Sequence, residues 1–215
     1  MMTELFLQGL WDTIYMTIVA TLIAYIIGLP LGVSLVVTDS DGIYPMPILH
    51  NIIGLLVNVV RSVPFLILLI AMIPLTRIVV GTSIGTNATI FVLIVAAAPF
   101  IARMVESSIK EVDAGVIEAA QSMGASNMTI ILKVMLSEAK PALIVGTALS
   151  TITILGYSAM AGVIGGGGLG DIAIKYGLYH YEAEIMWMAV AILVIVVQVL
   201  QEIGMRYARK IDNRL

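Results

Sequence analysis

The chain has 215 residues, 60% of them hydrophobic and 12% charged, with a mean hydropathy of +1.06. A water-soluble domain of this length cannot bury that much apolar surface, so lipid is the solvent the composition demands. The 11 basic and 14 acidic side chains nearly cancel at a net charge of -3, and cysteine is absent, which excludes a basic field for nucleic acid, a disulfide framework, a thiolate nucleophile and cysteine metal sites.

An ionised side chain at the bilayer centre costs at least ~2.5 kcal/mol, so uncharged stretches mark the spans. Five are expected. The N-terminus has no basic region of the signal-peptide kind, and its first apolar stretch, Thr13 to Val37, is long enough to span, so it reads as the first helix rather than as a cleaved leader. The second stretch runs from about Ile48 to Thr76 with Arg61 as its one interruption. The third runs from Ile78 to Ala102, its helix starting near Ile84 after a loop-like Gly81, Thr82, Ser83. The fourth follows Pro141 and fades into glycines after Ile164, and the fifth runs from near Ile185 to near Gln201. Each helical part approaches the ~20 residues that cross ~30 Å of hydrocarbon.

Basic residues accumulate on the cytoplasmic side of a membrane. With five spans, Arg103, Lys110, Lys133, Lys140, Arg206, Arg209, Lys210 and Arg214 fall on one side, and Arg77 and Lys175 on the other. The expected orientation is N-terminus outside and C-terminus in the cytoplasm. Six spans, with the fourth split at its glycines, would break this asymmetry.

The segment between spans three and four, 106–140, reads as helix, sharp turn, helix. Ser108 followed by Glu111 matches a capping box and predicts a helix from there to about Met123. Val112, Val116, Ala119, Ala120 and Met123 form one apolar stripe at helical spacing. Gly124 is suited to the left-handed conformation that ends a helix, and Ser126 or Asn127 to capping a second one, in which Met128, Ile131, Leu132, Met135 and Leu136 share a face.

Within this segment Glu118-Ala119-Ala120, then Gly124, then Val134-Met135-Leu136 resemble the E-A-A signature loop of ABC importer permeases. The small residues permit close backbone approach and Glu118 offers a charge-assisted anchor. The signature proline is replaced by Ser137, with Pro141 four residues on. The length, the five spans and the segments Arg61-Ser62-Val63-Pro64-Phe65, Gly81 to Gly85, Ala98 to Glu106, Gly156-Tyr157-Ser158-Ala159-Met160 and Gly167 to Gly170 further resemble the methionine permeases of type I importers.

That resemblance implies an all-α polytopic fold forming a single permease domain over 1–215, with no catalysis and no cofactor of its own. It implies a homodimer, two ATPase subunits that bind the ATP and Mg, and an extracytoplasmic methionine-binding protein, all at a bacterial inner membrane. It assigns ATPase coupling to Glu118, Ala119, Ala120 and Gly124. A permease for another small amino acid is the alternative within the class.

The energy source can be argued from the residues alone. A proton- or sodium-driven carrier usually holds an ionisable residue inside a span. The carboxylates nearest to one, Glu106 and Asp171, sit at expected span ends, and Arg61 cannot cycle protons. No G-x-x-x-x-G-K-[ST] phosphate loop precedes any lysine, so ATP hydrolysis belongs to another chain. A membrane hydrolase lacks its base and acid within the spans, and a passive channel needs no docking loop.

Arg61, Tyr157, Ser158 and Met160 are candidates for the translocation pathway, against snorkelling for Arg61 and simple packing for the others. Gly165 to Gly170 formally fits G-x-G-x-x-G but follows a membrane helix, so a flexible external loop that serves the gate or meets the binding protein, or else a plain chain reversal, is expected instead of a nucleotide site. Gly28 and Gly32, and Gly162 and Gly166, have small-x-x-x-small spacing, which arises readily by chance among 19 glycines. His50 and His180 are expected in loops, without partners for a metal.

Overall fold

The computed structural model describes residues 2–211; Arg214 lies outside the described residues, as does the Arg209 side chain. Among the described residues every regular element is helical. In chain order these are α1 (Met2–Val37), α2 (Pro47–Ser62), α3 (Phe65–Ala71), α4 (Ile73–Val80), α5 (Thr86–Lys110), α6 (Ala114–Ser122), α7 (Asn127–Thr129), α8 (Leu136–Glu138), α9 (Lys140–Met160), α10 (Gly168–Ile172) and α11 (Ala183–Ile211). Wide π turns over Ile130–Met135 join α7 to α8, and a second π stretch, Ala173–Tyr179, continues α10.

Four helical stretches are long and apolar enough to cross a membrane, and α2 with α3, bent by 100°, makes up to five. The break follows from Pro64, which lacks an amide and pushes the residue before it out of the helical region. Val63 is accordingly extended, at φ -83 and ψ 123. Three helices outrun the uncharged stretches, among them α11, which runs on to Ile211 instead of ending near Gln201. α1 starts at Met2 instead of Thr13, and α5 runs on to Lys110 instead of stopping at Ala102.

α1 and α5 form the centre of the bundle. Met16, Ala20, Ala24, Gly28, Gly32 and Leu35 make a buried stripe on α1, and Leu93, Ala97, Ile101 and Val105 are buried on α5. Lipid tails are as apolar as these side chains, so close packing rather than water exclusion holds the pair. The two glycines carry the contact. A Cβ on Gly28 would sit 2.7 Å from the Ala98 carbonyl oxygen, and one on Gly32 would sit 2.5 Å from that of Ala102. The spacing that sequence left as chance is thus a helix-crossing surface.

Hydroxyls inside α1 need partners where water is absent. Thr13, Thr17 and Thr21 each donate to the carbonyl four residues earlier, at 2.7 to 2.8 Å. Thr13 has a second use. Its Oγ1 accepts the Leu169 amide at 2.9 Å, while Gly85 N donates to Gly165 O at 2.9 Å and Thr89 Oγ1 to Gly166 O at 3.2 Å. The glycine run is therefore clamped between α1 and the start of α5, with Gly166, Gly168 and Gly170 buried. This corrects the expectation of a flexible loop. Glycine is needed because Gly165, Gly167 and Gly168 all adopt φ of +75 to +81, and a Cβ on Gly168 would sit 2.7 Å from Thr13 Oγ1.

His50 also departs from its expected loop. It lies in the first turn of α2, and its Nδ1 is 3.0 Å from the Leu35 carbonyl oxygen, tying α2 to the end of α1.

Candidate functional site

Two places gather the candidate residues: one end of the bundle, built by α6, and a cavity at the bend between α2 and α3.

At the α6 end, the expected capping box of Ser108 and Glu111 does not form. Ser108 is buried inside α5, and Glu111 is the residue that ends it. Ile101, Val105 and Ile109, spaced by four and all buried, carry α5 one turn further than the capping signal allowed. Asp113 starts α6 instead, its Oδ1 accepting the Gly115 amide at 2.7 Å. The signal was present in the sequence as an aspartate two residues past Glu111, outranked there by the serine–glutamate pair.

The turn itself is as expected. Gly124 has φ +78, the Ala125 amide donates to Ala120 O at 3.1 Å, and Ser126 caps the next helix by accepting the Thr129 amide at 3.3 Å. Ala120 is buried beneath the turn, whereas Glu118 and Ala119 are exposed. The two apolar stripes, however, are split: Ala120 and Met135 are buried and Val112, Ile131 and Leu136 pack on the core, while the rest face outward. Val116, Met123, Met128 and Leu132 are exposed, Met123 by 81%. The π turns separate the members of the second stripe: the wider repeat puts Ile130 and Met135, both buried, on one side and leaves Met128 and Leu132 exposed, so the five stripe residues do not share one face. Ser137, at the position of the motif proline, keeps its hydroxyl 3.5 Å from Leu132 O across those wide turns, and Pro141 falls in the first turn of α9.

Behind α6 lies an open cavity of about 510 Å³ lined by Asp39, Ile43, Lys110, Ile117, Glu118 and Met135. An ion-pair chain crosses its edge. Lys110 Nζ is 2.8 Å from Asp39 Oδ2 and 3.1 Å from Glu106 Oε1, and Glu106 Oε2 accepts Arg103 at 2.6 Å. Arg103 goes on to Asn58 Oδ1 at 2.9 Å. Hydrogen bonding from Lys110 holds the Asp39 carboxyl below its ordinary range. The chain links the α1–α2 loop, α5 and α2. Sequence placed Glu106 at a span end; its burial, with two cations on it, had no signal beyond the arginine and lysine flanking it.

The second place lies at the bend. Arg61 lies in the last turn of α2, and the Phe65 ring at the start of α3 stacks on Tyr157 of α9, centroids 4.4 Å apart and planes 4° from parallel. Arg61, Phe65, Leu68, Phe100 and Tyr157 line a cavity of about 180 Å³. Of the four pathway candidates, the structure brings Arg61 and Tyr157 together. Ser158 is buried and donates to the Leu155 carbonyl at 2.8 Å, and Met160 is half exposed, away from that cavity. Phe65 and Phe100 fall in segments that carry the family resemblance, but nothing in the sequence marks either as lining a cavity, because a phenylalanine in a span carries no mark of which face it occupies. Among the described residues no cluster of three or more metal-ligating side chains occurs.

Comparison with known proteins places this geometry. The family model of the binding-protein-dependent transport system inner membrane component matches residues 28–214. The chain is 45% identical over 212 residues to a probable D-methionine transport system permease protein MetI of Vibrio cholerae, covering 99% of this chain and 94% of that one. It is 42% identical over 213 residues to the methionine import system permease protein MetP of Bacillus subtilis, covering 99% and 96%. Among solved structures, a chain from the inward-facing MetNI methionine ABC transporter superposes with a TM-score of 0.96 at 46% identity, covering 99% of this chain and 98% of that chain. A chain of an amino acid ABC transporter with histidines shares the fold, at a TM-score of 0.80 and 23% identity over 97% and 94% of the two chains. The chain belongs to the binding-protein-dependent transport system inner membrane component family.

Proposed function

We propose that the chain is the membrane-spanning permease subunit of an ATP-driven ABC importer that carries methionine, of D or L hand or both, into the cytoplasm. The observation that carries this reading is the near-complete alignment, in sequence and in backbone, with permeases named for methionine transport. The subunit works as a homodimer with two ATPase subunits that bind ATP and Mg, and it receives cargo from an extracytoplasmic methionine-binding protein.

The α6 turn supports the ATPase dock. Glu118 and Ala119 are exposed on α6, Ala120 and Gly124 fix the turn, and Val116, Met123, Met128 and Leu132 are exposed beside it. Exposed apolar side chains of this kind mark a protein interface. The eight-to-two bias of basic residues supports a cytoplasmic α6 end and an outer N-terminus. ATP-driven approach of the two ATPase subunits then moves paired α6 turns, and the bundles rock to alternate access.

The test is ATP-dependent uptake of labelled methionine into proteoliposomes that hold this subunit with its cognate ATPase and binding protein, competed by other amino acids. Uptake competed only by methionine and close analogues is the expected result. ATP hydrolysis without methionine movement would keep the importer class and discard the cargo.

A further inference from the structure

Arg61 and Arg103 both lie in helices of the bundle, α2 and α5, and their surroundings differ. Arg103 is well partnered: it donates to Glu106, to Asn58 and to the Gly54 carbonyl. Arg61 makes no ion pair or side-chain hydrogen bond with any described residue. A guanidinium cannot shed its proton, and facing hydrocarbon it costs ~2.5–3.5 kcal/mol or more. Such a group is retained where it meets water or an anion.

Arg61 stands beside the 100° bend, on a cavity whose other walls include Phe65, Leu68, Ala96, Phe100 and Tyr157. One cation against an aromatic and aliphatic wall is complementary to a small molecule with one anionic end and one apolar tail. We propose that this cavity is a transit station for the amino-acid cargo, in which Arg61 receives the carboxylate and the apolar side chain lies along the stacked Phe65 and Tyr157 rings. The proposal rests on the importer reading above and names the group that reads the cargo.

A bidentate guanidinium–carboxylate contact gives orientation, and the ring pair favours an apolar or thioether tail. No carboxylate lines the cavity, so the cargo's ammonium stays toward water. That keeps the station weak, as a transit site must be if cargo is to leave it.

The absence of cysteine supplies the test. Ala96, small and on the cavity wall, is replaced by cysteine in the full permease–ATPase complex, and its labelling by anionic and cationic methanethiosulfonates is compared. Field focusing by Arg61 should make the anionic reagent faster by roughly tenfold, with R61K keeping that preference and R61M abolishing it. Methionine and methylthiopropanoate, which share the carboxylate, should slow labelling, and methioninol, which lacks it, should not. Equal rates for the two reagents with Arg61 in place, or equal protection by methioninol, would overturn the proposal even if R61M fails to assemble. If methionine is neither transported nor protective while another amino acid protects through its carboxylate, the Arg61 assignment stands and the cargo reading falls. Protection by no amino acid removes the assignment.

Discussion

Asp39 and Lys110, 71 positions apart in the chain, meet at 2.8 Å where the loop after α1 reaches the last turn of α5. The same ammonium holds the buried Glu106, so the start of the α6 segment is tied at once to the α1–α2 loop and to the bundle. Asp39 is partly exposed, and exposed pairs contribute only about 0.2–1 kcal/mol. Its carboxyl is depressed in the fold by the Lys110 hydrogen bond. A depressed carboxyl stabilises above the unfolded value of about 4 and loses that contribution as pH falls through the folded value.

Thermal melts of the detergent-solubilised protein should therefore show Asp39→Asn slightly less stable than the parent at neutral pH, by no more than about 1 kcal/mol. The gap should close in acid. A gap unchanged from pH 7 down to pH 3 would mean that the pair does not act through charge.

Glycine packing yields a larger effect. Gly28 lies against the Ala98 carbonyl and Ile101 with no room for a side chain, and overfilling a packed contact costs about 1–3 kcal/mol. Gly28→Leu should lower the yield of folded protein and its melting temperature. Gly156, whose added Cβ meets nothing within 4 Å, should accept alanine without either loss. Equal behaviour of the two variants in size-exclusion and melting profiles would contradict the α1–α5 crossing.

How far sequence could see into this fold depends on which physical signal set each element. Span positions follow from the cost of charge in lipid, so uncharged stretches located them. Helix ends follow from caps and packing, and packing prevailed over the capping signal: α5 passes Ser108, and Ile109 beyond it is still buried in the core cluster. The turn at Gly124 and the Ser126 cap were visible because each is a local backbone requirement met by one residue. The apolar stripes of α6 and α7 were visible as stripes, but sequence does not say whether a stripe faces its own bundle or a partner. The π turns at 130–135, which decide the matter for Met135, have no sequence signature. Arg61 and Tyr157 were each legible as unusual, whereas their shared cavity depends on the 100° bend and on α9 arriving beside it.

The clamp on the glycine run can be tested at Thr13. Its hydroxyl donates to Gly9 O at 2.8 Å and accepts the Leu169 amide at 2.9 Å in a buried setting. Thr13→Val keeps the shape and removes both bonds, leaving a buried amide unsatisfied at a cost of about 1–3 kcal/mol. Thr13→Ser should restore most of it. Hydrogen exchange at the Leu169 amide is the direct readout: fast in the valine variant and slow in the serine variant. Equal protection in both would show that another group holds the run.

Gly124 separates backbone strain from docking. It sits at φ +78 with nothing within 4 Å of an added Cβ, so a side chain there meets only the left-handed penalty of roughly 1–2 kcal/mol. Asparagine tolerates that conformation and valine does not. If the α6 turn transmits the ATPase stroke, Gly124→Asn should retain coupled methionine uptake in proteoliposomes, whereas Gly124→Val should assemble with the ATPase yet move less methionine per ATP hydrolysed. Bulk alone separates the two from a third variant, Gln121→Trp, placed on exposed α6 beside the same turn. If tryptophan uncouples as valine does while asparagine is silent, the turn acts through both its shape and its surface. Normal coupling in the valine variant would remove Gly124 from the path of force.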